Sequence, residues 1–321
     1  MRIGIDLMGS DQPPQALLEA VYQLVETHPS HQFVVLGNSL NVKDLHGITY
    51  VQCAQTIEMD DSPLEAVRRK KDSSMATGMR LLKEHKIDAL VSAGNTGALV
   101  ALARLNLPLL PTITSLSLLV LLPKEKGKVA VLDVGANISF KPHHLVEYAK
   151  LGQLYFQIVH GLENPLVGLL NIGVEEKKGT AVIKEGYQIL NEHFQKTPDV
   201  FLGNIEGKKA FQQGAPDVLI TDGFTGNVFL KTCEGVFSFL LDFFKKQLEG
   251  KESFDKLLLS FHKQFKYSAG GGALLCGIDG IVIKCHGDSS PAAFAKGIKD
   301  AIDLAEKEII KKMKKGLDHA T

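Results

Sequence analysis

The chain has 321 residues, enough to bury a large core as one big α/β domain or as two smaller ones. Its apolar content of 45% is ordinary for a globular protein, and its zero formal net charge gives no support for nucleic acid as a partner. Four cysteines without a C-x-x-C pair, and no signal-peptide pattern, predict a cytoplasmic protein with free thiols. The apolar run Leu105–Leu122 is interrupted by Pro108 and Pro111, which argues against a spanning helix.

Apolar strand-like runs alternate with amphipathic stretches from the first residues to the last. The predicted strands are 2–6, 32–36, a run starting at Asp88, 128–133, 166–172, 199–202 and a run starting at Asp217. Helices are predicted at 13–26, 62 to beyond 71, 73–85, 142–159, 182–194 and, as one long helix capped by Ser290, 290–313. This alternation predicts a mostly parallel sheet covered by helices on both faces.

Two stretches of the chain, Asp88–Val100 and Asp217–Phe229, repeat nearly the same pattern. Aligned without gaps, they share an Asp, a Leu, a Gly, a Thr and a second Gly, and each indicates a buried strand, a small-residue turn and the start of a helix. Such turns hold anions, because the first backbone N–H groups of a helix lack intrahelical partners and the helix dipole adds positive charge. The pattern predicts a pseudo-symmetric site with two polar subsites; the alternative is two glycine turns that bind nothing.

Small and polar residues follow the other predicted strands as well, and ligands bind at such strand ends in open α/β sheets. The set has many hydrogen-bond donors but no nucleophile elbow, no H-E-x-x-H, no Walker lysine and no G-x-G-x-x-G, so we expect neither a cofactor nor a metal. Candidate counter-charges are Arg68, Lys231 and Lys284. Lys231 lies one helical turn beyond Asn227, although a plain surface role is equally compatible with that spacing. His286 is either a general acid or a structural histidine.

The motifs together resemble the bacterial phosphate acyltransferase family, PlsX, over nearly the whole chain. They are Ile5–Asp11, Ser92–Ala98, Leu132–Asn137, Leu170–Gly173, Asp222–Asn227 with Leu230–Thr232, and Val282–Gly287. The resemblance implies a three-layer α/β/α fold with a Rossmann-like mixed sheet, similar to isocitrate and isopropylmalate dehydrogenases. It implies a single domain, 1–321, of two intertwined halves, and a homodimer at the inner face of the membrane.

The activity that the resemblance implies is transfer of a fatty acyl group from acyl-carrier protein to inorganic phosphate, for phospholipid synthesis. The product would pass to the membrane glycerol-3-phosphate acyltransferase of the same pathway. Phosphate is itself the nucleophile, so the enzyme has only to position it and stabilise the oxyanion. We assign phosphate to the turn Asn95, Thr96 and Gly97, with Lys231 or Arg68 as counter-charge. Gly94 and Lys284 are further candidates for substrate binding. The predicted catalytic residues are Asp222, Thr225, Asn227 and, as proton donor to the leaving thiolate, His286.

Two surfaces are predicted to meet partners. Segment 245–268 places apolar residues on one helical stripe and is interpreted as a membrane-facing tip, although core or dimer packing is an alternative. The basic cluster Arg68–Lys71 is interpreted as the docking surface for the acidic carrier protein. Ser115 and Ser139 depart from the family pattern. The alternatives are an acyl-coenzyme A phosphotransacylase, a metal- and NAD-dependent dehydrogenase of similar fold, and a non-catalytic carrier-binding scaffold.

Overall fold

The computed structural model describes residues 1–248 and 271–318, which form two compact units. The first unit comprises Met1–Leu116 and Gly271–Thr321, and the second comprises Ser117–Gly270. The chain therefore leaves the first unit, builds the second and returns. The predicted single domain of two intertwined halves stays a prediction.

The first unit contains six strands and six helices among the described residues. In chain order they are β1 Arg2–Asp6, α1 Pro14–Thr27, β2 Gln32–Gly37, β3 Ile48–Gln52, α2 Pro63–Arg69, α3 Ser74–Lys83, β4 Ala89–Ser92, α4 Thr96–Asn106, and, after the second unit, β10 Ala273–Cys276, β11 Ile281–Lys284, α8 Pro291–Glu306 and α9 Ile309–Asp318. The strand order is β3-β2-β1-β4-β11-β10. All neighbours are parallel except β10 and β11, as the predicted mostly parallel sheet requires.

Helices cover both faces of this sheet. Helix α3 packs on β1, β2 and β4, with Gly78 lying against Leu90, while α8 packs on β11, β4 and β1, with Gly297 lying near Ile283. In the register of β4 and β11, Ile283 is paired with Val91, the residue after Leu90. Leu90 and Ile283 therefore point to opposite faces, because side chains alternate along a strand. The predicted coverage of both faces is confirmed for this unit.

The second unit has a mixed sheet of five strands. Its elements are β5 Ser117–Pro123, β6 Lys128–Leu132, α5 His144–His160, β7 Val167–Asn171, α6 Ala181–His193, β8 Phe201–Glu206, β9 Val218–Ile220 and α7 Gly223–Leu248. The order is β5-β6-β9-β7-β8, with β5 antiparallel to β6 and the other neighbours parallel. Helix α5 approaches the sheet closely at Gly152, where an added Cβ would lie 2.4 Å from Val218.

Two helix predictions differ from the structure in their boundaries. The predicted helix 290–313 is two helices, because Glu308 has a left-handed backbone with φ of 52° between α8 and α9. Ile309 and Met313, which follow this break, are both buried. The apolar spacing in the sequence therefore continues across the break and indicated a single helix. Helix α2 ends at Arg69 rather than beyond Lys71, and the predicted cap Ser62 makes no side-chain capping hydrogen bond.

The predictions did not include strands β3, β5 and β10. Strand β3 lies at the edge of its sheet and is only partly buried, so its residues lack a clear apolar pattern. Strand β5 overlaps the end of the apolar run 105–122, after Pro108 and Pro111. Ser and Thr residues precede the strand, so the sequence pattern did not indicate where it begins.

The predicted membrane-facing segment 245–268 falls outside the described residues from residue 249 onward. Helix α7 enters this segment and is described as far as Leu248. In the helices of 1–248 and 271–318, none combines the length and the apolar character that a membrane-spanning helix needs.

Candidate functional site

The first repeated turn joins β4 to α4, and Asn95 caps the helix. The Asn95 Oδ1 accepts a hydrogen bond from the N–H of Ala98 at 3.0 Å. Its Nδ2 donates to the carbonyl oxygens of Met59 at 3.0 Å and Asp61 at 3.1 Å. The amide predicted to contact phosphate therefore fastens the 58–61 loop to the start of α4. Thr96 is half-buried and Gly97 is exposed at the first positions of the helix, where backbone N–H groups lack intrahelical acceptors.

A buried lysine lies directly beside this turn. Lys284, the last residue of β11, is only 8% exposed. Its ammonium donates to the carbonyl oxygen of Ala93 at 3.4 Å and to that of Cys285. Of the predicted counter-charges in the first unit, Lys284 is the one with a direct contact to the turn. Its position adds a full positive charge to the partial charge of the α4 helix start.

A buried carboxylate, which the sequence analysis did not select, lies in the same row of the sheet. Asp6, Ser92 and Lys284 are register partners at the ends of β1, β4 and β11. Ser92 Oγ donates to Asp6 Oδ2 at 2.7 Å and accepts from the N–H of Gly94 at 3.1 Å. Burial raises the pKa of Asp6, while hydroxyl hydrogen bonds and the charge of Lys284 oppose this rise. Asp6 thus connects through Ser92 to the turn, in the same row of the sheet as Lys284.

Arg68 and His286 also belong to the first unit. Arg68 is exposed near the end of α2. Pro63, the first residue of α2, contacts the first repeated turn, because an added Cβ at Gly97 would lie 2.6 Å from it. His286 is half-buried, two residues after Lys284. Its loop is tied to the end of β1 by a hydrogen bond from the Asp11 N–H to the Gly287 carbonyl oxygen at 2.9 Å. His286 therefore has a fixed backbone at the same sheet edge as Asp6 and Lys284.

The second repeated turn joins β9 to α7 in the second unit. Asp222, predicted to be catalytic, caps the helix: its Oδ1 accepts from the N–H of Thr225 at 2.9 Å. The side chains of Thr225 and Asn227 are exposed on the first turns of α7. An added Cβ at Gly135 would lie 2.5 Å from Asn227 Nδ2, so Asn227 rests against the loop after β6.

That loop is organised by Asp133, a fully buried residue that the sequence analysis did not select. Its carboxylate accepts five hydrogen bonds at 2.9–3.0 Å, from the N–H groups of Leu118, Gly135, Ala136 and Asn137 and from Asn137 Nδ2. Burial raises the pKa of Asp133, whereas these donors favour its ionised form. An added Cβ at Gly226 would lie 1.9 Å from the Asp133 carbonyl oxygen, which accounts for the glycine in the Asp222–Asn227 motif.

Lys231 is placed on α7 one turn beyond Asn227, as predicted. Its ammonium forms an exposed ion pair with Glu234 at 3.0 Å. The predicted site residues are thus divided between the units. The first unit holds Arg68, Gly94, Asn95, Thr96, Gly97, Lys284 and His286, and the second holds Asp222, Thr225, Asn227 and Lys231.

Comparison with known proteins identifies the family. A family model described as "Fatty acid synthesis protein" matches residues 1–312. The phosphate acyltransferase of Chlamydia felis is 41% identical over 323 aligned residues, covering 98% of both chains. The chain belongs to the phosphate acyltransferase family. The predicted resemblance and the predicted enzyme class, an acyltransferase, are confirmed.

Solved structures confirm the predicted fold of this phosphate acyltransferase family member. A phosphotransacetylase from Streptococcus pyogenes superposes with a TM-score of 0.63 at 18% identity, covering 96% of this chain and 94% of that one. A protein described as a 4-hydroxythreonine-4-phosphate dehydrogenase, from Salmonella typhimurium, superposes with a TM-score of 0.53 at 13% identity, covering 94% and 99%. At these identities the likeness extends to the fold alone.

Three of the four cysteines of this phosphate acyltransferase family member, Cys53, Cys233 and Cys285, are poor nucleophiles. Burial raises the pKa of Cys285 to about 12 and that of Cys233 to about 11, and it also raises the pKa of Cys53. Thiols with such pKa values are protonated at neutral pH, and the thiolate is the reactive form. Residues 1–248 and 271–318 also hold no group of three or more His, Cys, Asp or Glu side chains suited to a metal ion.

Proposed function

We propose that this protein transfers a fatty acyl group from acyl-carrier protein to inorganic phosphate, giving acyl phosphate for phospholipid synthesis. The observation that carries the proposal is the buried Lys284 ammonium beside a helix start. It suits a dianion such as phosphate, and the poor nucleophilicity of Cys53, Cys233 and Cys285 suits a reaction whose nucleophile is the phosphate itself. Membership of a family described as fatty acid synthesis proteins supports a fatty acyl substrate.

The reaction is a single displacement at a thioester. A phosphate oxygen attacks the carbonyl carbon, a C–O bond forms, the C–S bond breaks, and the departing thiolate takes up a proton. Phosphate is assigned to the turn Ala93–Gly97 with Lys284 as counter-charge. Thr225 and Asn227, exposed donors on α7, are assigned to the carbonyl oxygen, which becomes negative in the tetrahedral intermediate. His286 is assigned the proton transfer to sulfur.

The carrier protein is proposed to dock on the basic cluster Arg68–Lys71. Arg68, Arg69 and Lys71 are exposed, whereas Lys70 forms an ion pair with Asp61 at 2.5 Å. Exposed cations steer acidic partners and accelerate association. Three of the four basic residues are therefore presented to solvent for such a partner.

We propose that the protein is a homodimer, with α7 in the interface. Val236, Phe239 and Phe243 are exposed and share one face of this helix. Exposed apolar stripes of this kind mark association surfaces. Sedimentation of the Phe239→Glu variant tests this assignment: a monomer is expected, and a dimer as stable as that of the wild type contradicts it.

Attachment to the inner face of the membrane through segment 245–268, and hand-over to the membrane glycerol-3-phosphate acyltransferase, are proposed from the sequence pattern and the resemblance. Replacing Leu258 and Phe261 with Glu should reduce sedimentation with anionic liposomes and leave activity in solution intact. Loss of folding or of dimerisation in that variant would assign the apolar stripe to packing instead.

The deciding experiment incubates the purified protein with labelled phosphate and palmitoyl-carrier protein, and detects acyl phosphate as the hydroxamate formed with hydroxylamine. Parallel reactions contain palmitoyl- or acetyl-coenzyme A. Product from the carrier protein at much higher kcat/KM supports the proposal. A preference for the coenzyme A thioesters assigns a phosphotransacylase instead, and carrier binding without product from any donor assigns a scaffold.

A further inference from the structure

Three exposed apolar side chains stand at the ends of adjacent strands in the second unit. Ile138 follows the loop after β6 and is 89% exposed, Ile172 follows β7 and is 80% exposed, and Phe224 follows β9 and is 63% exposed. We call these three residues the apolar rim. Single exposed apolar residues are common on protein surfaces, but a group at one sheet edge indicates a contact with something apolar.

The three residues of the apolar rim lie at neighbouring positions. Strands β6, β9 and β7 are consecutive in the sheet. An added Cβ at Gly223 would lie 2.1 Å from the Asn137 carbonyl oxygen, so the residues that follow each of them, Phe224 and Ile138, are close neighbours. The register of β7 and β9 pairs Leu169 with Ile220, so Ile172 and Phe224 both follow the same end of this pair of strands. The rim therefore borders the turn that carries Thr225 and Asn227.

The first turn is different at the corresponding position. In the gapless alignment of the two turns, Phe224 corresponds to Asn95, which is buried and forms hydrogen bonds on both sides of its amide. Next to that turn lies a buried ammonium, and next to the second turn lies exposed apolar surface. The first environment suits a hydrophilic dianion, and the second suits a hydrocarbon whose head group is held by polar donors.

We propose that the apolar rim, Ile138, Ile172 and Phe224, binds the part of the fatty acyl chain nearest the thioester and thereby sets the chain-length preference. This inference rests on the proposed function, which supplies the acyl substrate. Covering these side chains with an acyl chain removes apolar surface from water on both partners, and this gain grows with the number of methylenes covered. A short acyl group covers little of the rim, so the rim favours long chains.

The test compares palmitoyl- and butyryl-carrier protein as donors in the Ile138→Ser, Phe224→Ser variant. The ratio of kcat/KM for palmitoyl to that for butyryl should fall at least about tenfold, as expected from the loss of two apolar contacts. Leu105→Ser, which changes another exposed apolar residue far along α4, serves as the control and should keep the wild-type ratio. An unchanged ratio in the rim variant overturns the inference.

Leu64, exposed on α2 near the first turn, provides the rival location. A fall in the ratio for Leu64→Ser, without one for the rim variant, would move the acyl chain to the first unit and overturn the inference. Absence of acyl phosphate from every donor with the wild-type protein would instead reject the proposed function, so the two failures are distinguishable.

Binding can also be measured without turnover, because the sequence contains no tryptophan. The Phe224→Trp variant carries its single tryptophan on the rim, and Leu105→Trp carries its single tryptophan elsewhere; each is excited selectively over the tyrosines. Palmitoyl-carrier protein without phosphate should shift the emission of Trp at position 224 to the blue, butyryl-carrier protein should shift it less, and neither should affect the control. Equal spectra with both donors, or a shift only in the control, contradict the proposal.

Discussion

The two repeated turns share a sequence pattern but have different surroundings. In the gapless alignment Thr96 corresponds to Thr225, yet α4 begins at Thr96 whereas α7 begins two residues before Thr225. The capping residues, Asn95 and Asp222, consequently stand at positions that do not correspond. The first turn lies against the ammonium of Lys284, and the start of the second helix is packed against the loop that Asp133 organises. A shared motif therefore encodes a strand-to-helix turn but not the residue at which the helix begins, and the neighbouring strands decide what surrounds each turn.

The largest expected effect tests the second turn. Thr225→Ala and Asn227→Ala should each lower kcat for acyl phosphate formation by roughly 100- to 1000-fold, the typical cost of losing an oxyanion donor. Both side chains are exposed, so circular dichroism should show a folded protein. The matched control is Thr232→Ala, a similar exposed threonine further along α7. Near-normal turnover of both site variants would contradict the assignment of the substrate carbonyl oxygen to this turn.

The next effect tests the first turn. Lys284→Met should lower kcat/KM for phosphate by about 100-fold while affecting the KM of the acyl donor less, because a preorganised charge is lost. Loss of this buried charge should also change stability, because the charge of Lys284 acts on the buried Asp6. The double variant Asp6→Asn, Lys284→Met measures that coupling and should not recover activity. If the double variant turns over normally, Lys284 has only a structural role.

Charge reversal at the basic cluster should have a smaller effect, confined to the carrier protein. Arg69→Glu together with Lys71→Glu should slow carrier association about tenfold at low salt, with the difference shrinking as salt is added. Lys312→Glu with Lys315→Glu makes the same change in net charge on α9 and should leave association nearly as fast as in the wild type. Equal slowing in both double variants would indicate a general charge effect and no defined docking surface.

The smallest expected effect concerns Lys231 and tests whether the two turns bind different parts of the substrates. Lys231 is on α7, but it was assigned with the phosphate as a candidate counter-charge. If that assignment holds, Lys231→Ala raises the KM for phosphate by a few-fold, about the worth of one exposed charge, and by more than it raises the KM for the donor. Glu234→Gln controls for the ion pair with Lys231. A larger rise in the donor KM would place Lys231 with the carbonyl instead.

The sequence supported the fold better than it supported the site. Strand β4 has a short apolar run followed by a polar residue and a glycine, and all of its residues are buried, so its pattern was recognisable in the sequence. The edge strand β3 lacked that pattern because it is only partly buried. Asp133 and Asp6 were missed as organising residues, since their importance arises from hydrogen bonds and register partners contributed by other strands. Asn95 was expected to meet a ligand, but its contacts with Met59 and Asp61 depend on a loop whose path no local pattern reveals.

An inner strand of the first unit is contributed late. Strand β11 pairs with β4, yet the ribosome makes it only after the whole of the second unit. Until then β4 has an open edge, and such edges are prone to pairing with other chains. A chain interrupted before residue 281 lacks both the neighbour that covers this edge and the Lys284 ammonium beside the first turn. The proposed anion site therefore depends on the synthesis of β11.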